Sequence, residues 1–97
     1  MSTLSALRRR DLESNVRLAA RMAMRRGLIS REEMRTVQRA VDHDECCSEL
    51  CEDLNFAMQT SAAGTSALAG AGILQWLLDN WPQIMQMIQQ LIALFGV

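Results

Sequence analysis

His43, Cys47 and Cys51 stand four residues apart, a spacing that puts one imidazole and two thiols on successive turns of a single helix face. Such soft donors hold zinc or a cuprous ion once a fourth ligand is added. The signal is weak, because one helix seldom supplies a whole site, no Cys-x-x-Cys pair is present, and free cysteine is among the most buried residue types. His43, Cys47 and Cys51 are therefore read as buried or partly exposed structural positions and kept as a weak metal or thiol candidate. No cofactor is expected. Three cysteines, an odd number, also argue against a disulfide framework.

Catalysis has little else to draw on. The chain has one histidine, no phosphate-binding glycine loop and no Ser/His/Asp set that spacing recommends. A non-enzymatic protein without a small-molecule substrate is expected.

The second chemical feature is arginine. All ten basic residues are arginines in the first 41 positions, where they leave an excess of six positive charges, and residues 42–53 carry six negative ones. After Asp53 the only charged residue is Asp79, so a net charge of −1 conceals a strongly segregated chain. Arg17, Arg21 and Arg25 recur at four-residue spacing, as do Arg31, Arg35 and Arg39, so each set forms a stripe on one helix side. With Arg26 they make a basic cluster able to grip an acidic protein, nucleic acid or an anionic lipid surface. The competing reading is a solvated face, partly neutralised by the acidic block. No aromatic residue lies among the arginines, which disfavours stacking on single-stranded bases.

These side chains need helices to hold them. Low proline and aromatic content and abundant Ala, Leu, Met, Arg and Gln predict an all-α protein. The spacing predicts an antiparallel hairpin with arms over about 3–26 and 31–58, the first opened by Ser2 or Thr3 and closed at Gly27. Ser30-Arg31-Glu32-Glu33 has the form of a capping box that starts the second arm. Pairing outward from the turn sets Arg8, Arg9 and Arg10 level with Cys47 to Glu49, where the acidic block meets them. Residues 60–72 are small and uncharged and read as a connector, or as a close-packing helix if Ala63, Ala67 and Ala71 let another backbone approach.

The organisation expected is thus 1–59 hairpin, 60–72 connector and 73–97 apolar tail, with a kinked helix or helix pair over about 66–95. Pro82 forces the kink, and Asp79 or Asn80 caps the new helix. Trp76, Leu77, Trp81, Ile84, Met87, Ile88, Leu91 and Phe95 share a broad apolar face opposite a narrow strip of glutamines. So much apolar circumference needs a cover. Residues 82–97 span roughly 24 Å at ~1.5 Å per residue, short of a ~30 Å hydrocarbon core, so a homo-oligomer or larger assembly is as good a cover as a membrane.

The function expected is a structural or adaptor subunit, in which the basic hairpin docks on an acidic partner, nucleic acid or anionic surface and the tail packs in an assembly or membrane. By composition alone this suits a minor virion component. The alternative is a holin-like membrane-permeabilising protein, with a metal- or thiol-binding bundle behind it. No secretory or twin-arginine signal is recognisable, so cytoplasmic synthesis followed by membrane association or particle assembly is expected.

Overall fold

In the computed structural model, which describes residues 6–69 and 72–97, the protein is all-α. Six helices follow in order among those residues: α1 (Ala6–Arg25), α2 (Arg31–Asp42), α3 (Asp44–Gln59), α4 (Ala62–Ala69), α5 (Ile73–Asp79) and α6 (Trp81–Phe95). The caps expected at Ser2 or Thr3 lie outside the described residues.

The hairpin turn is built by local chemistry. Gly27 takes φ 75°, a conformation costly for a residue with a Cβ, and the Leu28 and Gly27 N–H groups donate to the Ala23 and Met24 carbonyls at 2.9 and 3.0 Å. This is the left-handed helix stop that satisfies the last carbonyls of α1. The capping box then opens α2: the Glu33 N–H donates to the Ser30 hydroxyl at 3.1 Å, and the Ser30 N–H donates to the Glu33 carboxylate at 3.0 Å.

The second arm is two helices, not the continuous helix expected over 31–58. His43 is extended (φ −84°, ψ 116°) and serves α3 as its cap, its Nδ1 accepting from the Cys46 N–H at 3.2 Å. The reason lies in the heptad phase. Residue 44 follows Val37 by seven and Val41 by three, so a straight helix would turn Asp44 toward the core, where an unpaired carboxylate is costly. The break instead turns it out, leaving its side chain 91% exposed. Asp44 and Glu45 then sit in the first turn of α3, where the helix dipole favours negative charge.

The stretch expected as a connector contains a packed helix. α4 lies against α3 and α5, and the close approach is made at Gly64 and Ala67, while Ala63 is exposed and Ala71 lies outside the described residues. A Cβ at Gly64 would collide with the backbone carbonyl and Cα of Met58. The Ser61 hydroxyl accepts from the Gly64 N–H at 2.9 Å, starting α4 beside the end of α3.

The tail is a helix pair separated at Asn80, with Pro82 in the first turn of α6, where its missing N–H costs nothing; what covers it departs most from expectation. The Asn80 side chain does not cap α6; its Nδ2 donates back to the Trp76 carbonyl at 2.8 Å. α5 packs on α1, and α6 packs on α2 and α3. Of the eight residues expected to face lipid or a second copy, Leu77, Trp81, Ile84, Ile88 and Leu91 are buried within this chain, and Trp76, Met87 and Phe95 are half-buried against the same core. The apolar arc is broad because α6 has neighbours on several sides. The Cα radius of gyration of 12.4 Å matches the ~12.5 Å of a compact chain of this length, so the tail is folded back rather than extended. Among the described residues no helix is long and apolar enough to cross a membrane.

Candidate functional site

Eight of the ten arginines fall into two groups. Arg9 donates to the Asp44 carboxylate at 2.9 Å and to its carbonyl at 3.2 Å, spanning from α1 to the start of α3. Arg17, expected to be part of the free cluster, instead donates to Asp42 at 2.6 Å and lies 3.5 Å from Glu13. The carboxylate bonds hold both guanidinium groups more firmly protonated than usual, against a smaller opposing effect of burial. The break at His43 explains why sequence reasoning missed the Arg17 pair: Asp42 and Asp44 end and begin helices there, and both project toward α1.

The other six cluster members are different. Arg21, Arg25, Arg26, Arg31, Arg35 and Arg39 are all exposed, and among the described residues no carboxylate lies within ion-pair distance of them. Arg39 donates to the Thr36 hydroxyl, at 3.3 Å. Their acidic neighbours Glu32 and Glu33 sit in the first turn of α2, where Glu33 is engaged by the Ser30 N–H. Six cations against two anions remain at the turn end of the hairpin.

Two depressions indent this end. One, of about 570 Å³, runs along α2 between Ser30, Glu32, Glu33, Arg35, Thr36 and Arg39. The other, of about 380 Å³, is lined by Leu28, Ile29, Leu78, Trp81, Pro82 and Met85, with Glu33 shared between the two. Leu28 stands 59% exposed at its rim. The apolar depression was not legible beforehand, since it is made where the hairpin turn meets the α5–α6 junction, some fifty residues away along the chain.

The His43, Cys47 and Cys51 set does not assemble as a ligand cluster. The break removes His43 from the helix that carries both cysteines, and its Nδ1 is occupied as the α3 cap. Its ring instead lies 6.0 Å from that of Phe95, tilted by 42°. Among the described residues no group of three or more His, Cys, Asp and Glu is placed to hold a metal ion. Cys46, Cys47 and Cys51 are free and buried. A hydrogen bond from Cys51 lowers the Cys47 thiol to about 7 despite burial, with Arg9 adding to the effect. Cys51 is correspondingly raised by its bond to Cys47 and by burial. Its one proton also has the Arg9 carbonyl as an acceptor, at 3.9 Å. Cys46 is raised by burial first and by Cys47 second. With Cys47 and Cys51 each 1% exposed, the sulfurs are walled off from solutes.

The site that meets solvent is therefore the arginine-bearing turn end. No protein-family profile, curated protein or solved structure matches the chain.

Proposed function

We propose that this protein is a non-enzymatic docking module that engages an acidic protein partner through the turn end of its α1–α2 hairpin. The observation that carries this reading is the contrast among the arginines: Arg9 and Arg17 are ion-paired with carboxylates of their own chain, whereas Arg21, Arg25, Arg26, Arg31, Arg35 and Arg39 are exposed and have no carboxylate in range among the described residues. Arginine is well suited to such a surface, since its planar fork meets carboxylates bidentately. An apolar depression beside the cations favours a protein over a nucleic acid, whose backbone has no use for it.

The whole chain has a sequence pI near 5.7, so attraction of a polyanion must come from a local patch and not from net charge. The test is binding of a labelled glutamate-rich peptide, followed by fluorescence anisotropy as salt is raised. Binding should weaken with salt and be lost when Arg21, Arg25 and Arg35 are together changed to Gln. Unchanged binding in that triple variant, or a preference for duplex DNA over the peptide, overturns the reading.

A further inference from the structure

We infer that the turn end is a two-part receptor, in which the apolar depression takes one aliphatic side chain of the partner while the flanking arginines take the acidic residues beside it. The inference rests on the docking role proposed above and specifies the partner as an acidic segment with an apolar anchor.

Three observations lead to it. The depression is walled by Leu28, Ile29, Leu78, Trp81, Pro82 and Met85, and its volume of about 380 Å³ falls within the ~300–1,000 Å³ typical of ligand pockets. Leu28 remains 59% exposed although the turn that carries it is fixed by two backbone hydrogen bonds; a leucine held rigidly in water at the edge of a pocket gains most from a partner that covers it. Trp81 lines the depression while only 1% exposed, so this wall is a fixed aromatic surface, and its buried indole Nε1, which has no acceptor among the described residues, makes its resonance a sensitive reporter of anything packed there.

Charge decides the occupant. Arg25 and Arg26 precede Leu28 by three and two residues, Arg31 follows Ile29 by two, and Arg35 and Arg39 line the adjoining depression. A purely apolar ligand would leave these cations unanswered, and a uniformly acidic one would leave Leu28 bare. Glu33, the one carboxylate lining both depressions, is held by the Ser30 N–H and sets where the acidic residues of the partner must not fall. An apolar anchor flanked by carboxylates satisfies both halves.

The experiment compares two probes on the full-length chain: a glutamate-rich peptide with one central leucine, and the same peptide with alanine there. Methyl and indole NMR resonances report where each sits. The leucine peptide should bind about tenfold more tightly and shift Leu28, Ile29, Met85 and the Trp81 indole. Leu28→Ser, at an exposed position that the fold does not need, should bring the leucine peptide down to the affinity of the alanine one. Equal affinity of the two peptides, with shifts confined to the arginines, would overturn the receptor while leaving the docking role intact. Failure of both peptides to bind would remove the docking role and this inference with it.

Discussion

Along α1 the same residue type meets two different fates. Earlier in the helix, Arg9 and Arg17 reach the corner between α2 and α3 and are answered by Asp44 and Asp42. In the last two turns Arg21 and Arg25 are exposed, with no carboxylate in ion-pair range among the described residues. Helical repetition at four-residue spacing makes the stripe; only the position of the α2–α3 corner decides which members are spent within the fold. A charge stripe is thus not one feature, and its unanswered portion is where a function is to be sought.

Both stretches rest on one core, so the strongest way to break the contrast is to remove what they share. Ile88 is fully buried on α6, and Ile88→Ala should cost about 2–5 kcal/mol, lowering the urea midpoint of the whole chain in a single transition. If the variant lost only α6 signals while α1 and α2 unfolded as before, the two stretches would not share a core.

A second test asks whether α4 braces α3, which carries Asp44. Alanine for glycine inside a helix ordinarily stabilises by about 1 kcal/mol, whereas Gly64→Ala should destabilise by roughly 1–3 kcal/mol because the new Cβ meets the Met58 backbone. The sign alone, read from thermal unfolding, separates a packed α4 from a loose tether.

The contrast itself is sharpened by paired substitutions. Arg17 and Asp42 are partly open to solvent, at 33% and 66% side-chain exposure, so Arg17→Gln should cost at most about 1 kcal/mol. Arg21→Gln should leave stability within ~0.5 kcal/mol while weakening the acidic peptide. Equal stability losses at the two positions would erase the distinction.

The smallest effect is a titration. Cys47, lowered to about 7 by Cys51, should give one thiolate by ultraviolet absorbance near neutrality, and Arg9→Gln should move that step upward. Its folded value lies below the ordinary 9.0, so the stability it contributes is present above 9.0 and lost as pH falls through about 7. Cys51, raised in the fold, acts the other way once pH passes 9.0. The contribution of the pair therefore peaks near pH 9.0, and a stability profile flat between 7 and 9 would contradict the lowering of Cys47.

Much of the local structure was legible in advance. The turn at Gly27, the box at Ser30 and Glu33, the helix pair around Pro82 and the meeting of Arg9 with the acidic block all follow from residues a few positions apart, or from simple register about a short turn. The break at His43 left a sign too, in the charged residue that interrupts the apolar phase at Asp44, but a single misplaced carboxylate does not say whether the helix ends or bends.

What covers the tail was not legible. Leu77, Trp81, Ile84, Ile88 and Leu91 announce a need for burial, and apolar surface is satisfied equally by lipid, by another copy or by its own chain, because the hydrophobic effect has no direction. The same limit hid the notch at Leu28 and Trp81, whose walls come from opposite parts of the chain. Sequence by itself determined the all-helical class, the stop at Gly27, the cap at Ser30 and the segregation of charge, which depend on neighbours within a turn or two. Only the tertiary structure decided which arginines are spent and which surface is left open, since both depend on where segments far apart in the chain come to rest against one another.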